Sequence, residues 1–134
     1  MELISSQIGL IVEQKCITFL LEHGFTVLSP LGNFAKYDIG IEKDGKFYRI
    51  QCKHATLEET GFKLKTSIQA RNGKRRGYTQ KDCDFFMTEA HGKFYLFPVW
   101  SSTVKKIWTV PSGNPVNTCC YAKDFLAEGV LETL

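Results

Sequence analysis

Residues 37–54 read YDIGIEKDGKFYRIQCKH, with two runs of alternating apolar and polar residues on either side of an Asp-Gly pair. This arrangement is a strong signal for a β-hairpin with a two-residue turn. Such a turn places Lys43 opposite Lys46 and, further along the two strands, Asp38 opposite Gln51. The sequence therefore predicts an antiparallel hairpin whose register is set by its turn.

The side chains of this hairpin separate into two faces, because successive residues of a strand point in opposite directions. One face is apolar and forms part of the predicted core: Tyr37, Ile39, Ile41, Tyr48, Ile50 and Cys52. The other face is polar apart from Phe47: Asp38, Gly40, Glu42, Arg49, Gln51 and Lys53. Asp38, Gln51 and Lys53 thus bring an acid, an amide and an amine together at one end of the polar face. A solvent-facing hairpin with a weak surface ion pair is the simpler interpretation of the hairpin alone.

A helix is predicted before the hairpin, from Ser6 to His23. Ser5 or Ser6 can cap its start, and Gly24 fits the left-handed residue that follows a helix. Its core face consists of apolar residues at helical spacing: Ile8, Ile11, Val12, Cys16, Phe19 and Leu20. Glu13 lies at the edge of this apolar stripe, so its carboxylate can point toward the sheet that the helix covers.

The rest of the chain is predicted to consist mostly of strands and loops. Strands are expected at 25–29, 62–69, 83–89 and 93–99, with a turn at residues 91–92 joining the last two. Loops are expected at 30–33, 70–81 and 111–117. Residues 101–108 are expected to form a short helix or an irregular segment, and residues 121–134 a closing helix. A helix, then mostly strands, then a helix indicates an α/β (α+β) protein with a mixed sheet.

The chain has 134 residues, which fits one domain, with a core at about 6–99 and a C-terminal extension at 100–134. No apolar stretch is long enough to cross a membrane, and no secretion signal is evident at the start. Its five cysteines show neither CxxC nor zinc-finger spacing. We therefore expect a cytoplasmic protein with reduced thiols and no membrane partner.

Positive charge is concentrated between Thr60 and Lys81, where no acidic residue occurs. The seven basic residues are Lys63, Lys65, Arg71, Lys74, Arg75, Arg76 and Lys81. The rest of the chain is net negative, since the whole chain carries a charge of only +3. Such asymmetry indicates a polyanionic partner, although a solvated basic loop fits the charge pattern about as well.

Three motifs together resemble the PD-(D/E)XK nucleases. YDIGI at 37–41 and QCK at 51–53, on either side of the Asp-Gly turn, are similar to the family's D-x(n)-(D/E)-x-K signature. Glu13 matches the acid that these enzymes often carry on their first helix. DCDFF at 82–86 and FYLFPV at 94–99 resemble strands of the branch that includes homing endonucleases of group I introns. The resemblance implies a restriction-endonuclease-like core, a central mixed β-sheet flanked by helices.

Two positions depart from the family pattern. Tyr37 stands where the signature usually has proline, which is a common variation. Gln51 stands where most members have Glu or Asp, and an amide oxygen is a weaker ligand for a hard cation than a carboxylate. Gln occurs at this place in some members, including the homing branch, but it raises the prospect of a catalytically weakened DNA-binding module.

The resemblance implies a metal-dependent endonuclease that hydrolyses phosphodiester bonds in double-stranded DNA. Its catalytic residues are Glu13, Asp38, Gln51 and Lys53. Mg²⁺, for which Mn²⁺ can substitute, would be held by Asp38, Gln51, the carbonyl of Cys52 and Glu13. Lys53 would orient the attacking water and stabilise the transition state, leaving a 5′-phosphate and a 3′-hydroxyl.

The basic segment is the predicted grip on duplex DNA. Its contacts are Lys63, Lys65, Gln69, Arg71, Lys74, Arg75, Arg76 and Lys81, with Gln69 and Arg71 able to reach base edges. A homodimer or homotetramer is expected, because cutting both strands requires two sites. A site-specific, homing-type enzyme is favoured modestly by the long basic insert. A Holliday-junction resolvase of the same fold, a non-cleaving DNA binder and a fortuitous match remain as alternatives.

Overall fold

A computed structural model describes residues 1–111 and 120–134. The predicted first helix is present as α1, Ser5–Glu22. Its buried residues are Val12, Cys16, Phe19 and Leu20. Gly24 follows it with a φ of +83°, as predicted. Two details of the helix prediction are wrong, namely the residue that caps its start and the extent of its core face.

The cap of α1 is Ile4 instead of a serine, because the chain enters the helix in an extended conformation at that residue. The backbone N–H of Ile4 donates to the side-chain oxygen of Gln7 at 2.9 Å, which is the bond that the third helical residue contributes to a capping box. Ile11 is 41% exposed, because only the stripe from Val12 to Leu20 packs against the sheet.

Eleven strands lie in the described residues. They are β1 Thr26–Leu28, β2 Ile39–Lys43, β3 Lys46–Cys52, β4 Thr56–Glu58, β5 Gly61–Lys65, β6 Ser67–Gln69, β7 Arg75–Gly77, β8 Phe85–Ala90, β9 Lys93–Pro98, β10 Val104–Trp108 and β11 Cys120–Tyr121. A 3-10 helix, Ala122–Phe125, and α2, Ala127–Glu132, complete the chain. No helix in the described ranges is both long and apolar enough to cross a membrane.

The central sheet is mixed and has the order β1-β2-β3-β8-β9. Its β3–β8 pair is parallel, and the other neighbours are antiparallel. The β2–β3 hairpin has the predicted register, with Lys43 opposite Lys46 and Ile39 opposite Ile50. Positive φ angles at Asp44 and Gly45 produce the two-residue turn. The predicted turn at residues 91–92 is also confirmed, with a positive φ at both residues.

The central sheet is covered on both faces. Residues of α1 and α2 form the main core with side chains from one face of the sheet. The second sheet, β11-β10-β5-β4, contributes to a further apolar cluster with Tyr95 and Phe97 of β9. A third cluster, built around Tyr78, Cys83 and Phe86, lies beside the two-stranded ribbon β6–β7.

Four predictions for the chain after residue 61 are wrong. The expected strand at 62–69 is divided between β5 and β6 at Thr66. That buried threonine donates its hydroxyl to the Ser102 carbonyl at 2.7 Å and accepts from the Trp100 indole at 2.8 Å. The expected loop at 70–81 contains β7, which pairs with β6.

Residues 101–108 contain strand β10 instead of a helix or irregular segment, because β10 pairs with β5 from 104 to 108. The expected closing helix is divided into the 3-10 helix and α2. Most of the loop expected at 111–117 lies outside the described residues.

Candidate active site

Asp38 is held at the open end of the β2–β3 hairpin by the backbone. Its own N–H donates to the Ile50 carbonyl at 3.0 Å, and its Oδ2 accepts from the Cys52 N–H at 2.8 Å. Burial raises the pKa of Asp38, while the hydrogen bond from Cys52 and the charge of Lys53 act in the opposite direction. The net shift is upward, so the fold holds a carboxylate where its charge is poorly solvated.

Glu13 of α1 is the second carboxylate of the site. Burial raises the pKa of Glu13, and the negative charge of Asp38 raises it further. The charge of Asp38 therefore disfavours ionisation of Glu13. A divalent cation bound at this site would offset both the burial and the repulsion, since both act on uncompensated charge.

Gln51 places its amide next to Asp38. With the amide nitrogen turned toward the carboxylate, it donates to Asp38 Oδ2 at 3.3 Å and to the Lys36 carbonyl at 3.2 Å. A half-turn of the amide would bring its oxygen to the same place. Asp38 and Gln51 could then both offer an oxygen to a hard cation such as Mg²⁺.

Lys53 continues the same side of β3. Its N–H donates to the Met87 carbonyl at 2.9 Å, which ties its backbone to β8. Its ammonium donates to the Tyr78 hydroxyl at 2.9 Å and lies 4.8 Å from the centre of that ring. Burial lowers the pKa of Lys53, and the charge of Asp38 raises it in part. The ammonium is thus partly desolvated and within the field of Asp38.

The four residues predicted to be catalytic therefore converge at one end of β3, and their donors suit a hard cation. No three His, Cys, Asp or Glu side chains in residues 1–111 and 120–134 are grouped to hold a metal. The candidate donor set is instead mixed: the carboxylates of Glu13 and Asp38, the amide oxygen of Gln51 and the backbone carbonyl of Cys52. All are oxygens, which Mg²⁺ and Mn²⁺ prefer.

Two further acids in the DCDFF motif form ion pairs beside this site. Asp82 accepts from both terminal nitrogens of Arg76, at 2.8 and 3.0 Å, and its side chain is only 8% exposed. These bonds lower the pKa of Asp82 to about 2. Asp84 accepts from the backbone N–H of Arg49 at 2.8 Å and pairs with its guanidinium at 3.2 Å. These contacts fix the segment that precedes β8, because Asp84 binds Arg49 of β3 and Asp82 binds Arg76 of the ribbon.

The predicted DNA contacts lie on β5, on the ribbon β6–β7 with its turn, and in the loop before β8. Lys63 and Lys65 are exposed on β5, where Lys63 also pairs with Glu58 at 3.3 Å. The exposed residues of the ribbon and its turn are Gln69, Arg71, Lys74, Arg75 and Arg76, and Lys81 is exposed in the loop before β8. Arg75 donates to the Ser67 hydroxyl at 2.7 Å across the ribbon.

Tyr78 is the site residue that sequence reasoning missed. Its ring packs in the third apolar cluster, and its hydroxyl accepts a hydrogen bond from Lys53. The two residues are 25 positions apart, and no local pattern links them. Only the ribbon, itself unpredicted, brings Tyr78 back to β3.

The sequence matches a protein family described as PD-(D/E)XK endonuclease over residues 4–110. The chain therefore belongs to the PD-(D/E)XK endonuclease family, which confirms the resemblance, and members of this family are typically dependent on a divalent metal.

Among solved structures, the bacterial homing endonuclease I-Ssp6803I is similar, with a TM-score of 0.71 over 96% of this chain and 92% of that one. The two sequences are 20% identical, so this likeness shows a shared fold, and it confirms the predicted fold class. A second structure, MepB, has a TM-score of 0.42 and 11% identity, covering 79% of this chain and 85% of its own. Comparison with curated proteins found no match.

Gln51→Glu is expected to lower stability without metal and to raise affinity for metal. A third carboxylate cannot donate to Asp38 and repels it, so the melting temperature in EDTA should fall. The same carboxylate is a better ligand, so affinity for Mg²⁺ should rise about tenfold or more. Thermal melting and calorimetric titration with Mg²⁺ measure both effects. The matched control is Gln69→Glu on the exposed ribbon. If Gln51→Glu behaves like that control, Gln51 does not face a metal.

Proposed function

We propose that this protein is a Mg²⁺-dependent endonuclease that cuts double-stranded DNA at specific sites. The observation that carries the proposal is the convergence of Glu13, Asp38 and Gln51 beside the partly buried ammonium of Lys53. Poorly solvated carboxylates favour binding of a metal cation, and a neighbouring ammonium favours binding of a phosphate. Hydrolysis of a phosphodiester requires both.

The metal would be held by the mixed donor set of Glu13, Asp38, Gln51 and the Cys52 carbonyl, and Mn²⁺ should substitute for Mg²⁺. When bound, such a cation lowers the pKa of a water molecule and offsets charge on the scissile phosphate. The backbone fixes Asp38 from both sides, through Ile50 and Cys52, so this ligand needs little rearrangement.

Lys53 would act on the reacting groups directly. Its ammonium can donate to the attacking water and to a phosphate oxygen, which orients the one and stabilises charge on the other. The water oxygen forms the new bond to phosphorus as the bond to the 3′ oxygen breaks. The products are a 5′-phosphate and a 3′-hydroxyl.

The ribbon β6–β7 and the exposed side of β5 would bind the duplex. A two-stranded ribbon fits the major groove, where Gln69 and Arg71 could reach base edges. Lys63, Lys65, Lys74 and Lys81 would contact phosphates. Arg76 is left out of this set because Asp82 already holds its guanidinium. The structural neighbour is a homing endonuclease, which supports a site-specific reaction.

The chain would act as a homodimer or homotetramer, since each copy has one candidate site and a duplex has two strands.

Cleavage assays on three substrates test the proposal: supercoiled plasmid, linear duplex and a synthetic four-way junction, each with and without Mg²⁺. Mg²⁺-dependent nicking or cutting of duplex DNA is expected. A strong preference for the four-way junction would favour a resolvase. Binding without cleavage would favour either a specific site that these DNAs lack or a DNA-binding module with an inactive site. Cutting restored by Gln51→Glu would assign the loss to the active site. Absence of both binding and cleavage at low salt would contradict any role with nucleic acid.

Lys74→Ala is expected to weaken DNA binding and to reduce its dependence on salt. Removing one phosphate-binding side chain should lower the slope of log affinity against log salt concentration by about 0.9. Fluorescence anisotropy with a labelled duplex at several salt concentrations, with Ca²⁺ replacing Mg²⁺, measures the slope. Lys93→Ala, at the exposed first residue of β9, is the control and should leave the slope unchanged. Equal slopes for both variants would remove the ribbon from the DNA-binding surface.

A further inference from the structure

Tyr78 stands between the ribbon and Lys53. It directly follows β7, and its side chain is only 4% exposed. Its hydroxyl makes the one hydrogen bond that the Lys53 ammonium has within the described part of the chain, at 2.9 Å. The ammonium also lies 4.8 Å from the centre of the ring. A single rigid side chain therefore contacts the candidate catalytic amine through both its hydroxyl and its ring.

The ring of Tyr78 has little freedom to move. It packs edge-on against the fully buried Phe86, with ring centres 5.1 Å apart and an angle of 87° between the planes. Burial raises the pKa of Tyr78 to about 12, so its hydroxyl stays neutral at physiological pH. It can then accept from the ammonium and still donate its own proton elsewhere.

The backbone on either side of Tyr78 is also anchored. Gly77 lies so close to the Ser101 carbonyl that any side chain at this position would overlap it. Arg76 is fixed by its paired hydrogen bonds to Asp82, and the Thr79 N–H donates to the same carboxylate at 2.9 Å. The end of the ribbon is thus fixed on both sides of the tyrosine.

We propose that Tyr78 is the positioning residue for Lys53, and that through it the base of the ribbon sets where the catalytic ammonium points. This inference rests on the proposed function, because it assigns Lys53 a role in cleavage. The tyrosine does not touch the reacting atoms. It holds the four-carbon side chain of Lys53 in one conformation, which a free lysine would occupy only part of the time.

The test has two readouts, of which the first needs no substrate. In a double-mutant cycle of metal-free protein, Tyr78→Phe and Lys53→Met are measured singly and together by denaturant unfolding. Removing the hydroxyl should raise the unfolding equilibrium constant about tenfold when Lys53 is present, and have little effect in the Lys53→Met background. The control is Tyr95→Phe, an equally buried tyrosine in the second core cluster, whose effect should be the same in both backgrounds.

The second readout is cleavage of supercoiled plasmid with Mg²⁺. Tyr78→Phe should lower the maximal rate about 10- to 100-fold, while affinity for the same plasmid in Ca²⁺ stays unchanged. A purely structural tyrosine would instead give additive unfolding effects, and either that or an unchanged maximal rate overturns the proposal. If wild-type protein does not cut any DNA, the proposed function fails. The unfolding cycle then still decides whether Tyr78 holds Lys53.

Discussion

Lys53→Ala is expected to lower Mg²⁺-dependent cleavage of plasmid DNA by about 100- to 1000-fold, which is typical for loss of one preorganised donor to a transition state. The reason lies in the surroundings of the ammonium, which is half-buried, donates to the Tyr78 hydroxyl and lies within the field of Asp38. Water that enters the space left by alanine carries no positive charge and is not held in place. Affinity for DNA should change little, because most of the proposed phosphate contacts lie outside the site, on β5, the ribbon and the loop before β8.

Rates of nicking under excess enzyme, together with binding measured in Ca²⁺, separate the two effects. Lys65→Ala is the matched control, since this lysine is exposed on β5 and lies outside the site. It should weaken binding slightly and leave the maximal rate of cleavage intact. Similar losses of rate in both variants would mean that Lys53 contributes only charge to DNA binding.

Asp38→Asn is expected to lower the rate of metal-dependent cleavage roughly 1000-fold. It should nevertheless preserve or raise the stability of the metal-free protein. The amide oxygen can still accept from the Cys52 N–H, so the backbone contact survives. What disappears is a poorly solvated charge beside Glu13. The expected signature is therefore loss of function without loss of folding.

The pH dependence of stability follows from the same raised pKa values. The carboxyl groups of Asp38 and Glu13 bind their protons more tightly in the folded protein than in the unfolded chain, where Asp titrates near 3.8 and Glu near 4.5. Their contribution to stability is therefore present at pH values below this range and is lost as the pH rises through the raised values. In EDTA, the wild type should lose this part of its stability toward neutral pH, and Asp38→Asn should lose less.

Melting curves with EDTA and with Mg²⁺ test both expectations. Mg²⁺ should raise the melting temperature of the wild type near pH 7.5 and have little effect on Asp38→Asn. Asp84→Asn is the matched control with the opposite signature, because its carboxylate is paired with Arg49. That variant should lose stability and keep its response to Mg²⁺. If Asp38→Asn is destabilised as well, Asp38 has a structural role in addition to metal binding.

The hairpin that carries Asp38, Gln51 and Lys53 could be predicted because its determinants are local. An Asp-Gly turn and strict alternation define the register within 18 residues, and the observed pairing of Ile39 with Ile50 agrees with it. The first helix could be predicted for the same reason. The resemblance to a nuclease signature then added Glu13, whose position alone was compatible with an ordinary surface glutamate.

The second sheet and the ribbon could not be predicted, because their determinants are distant in sequence. Strand β10 exists through its pairing with β5, about 40 residues earlier in the chain. The break at Thr66 depends on Trp100 and Ser102, which reach it as donor and acceptor only after the chain has folded. Tyr78 was missed for this reason, since its role depends on where an unpredicted ribbon ends.

Strands β3 and β8 are parallel neighbours, and the chain between them, residues 53–84, contains both β5 and the ribbon. The entropy lost on closing such a connection grows only with the logarithm of its length, by about 0.6 kcal/mol for each doubling. Insertions or deletions in the exposed turn between β6 and β7 should therefore disturb the pairing of β3 with β8 very little. The segment proposed to select a DNA sequence can thus diverge in size and shape between relatives while the hydrolytic residues keep their places. If Tyr78 positions Lys53 as proposed, a change at the end of the ribbon would alter cleavage by moving the Lys53 ammonium.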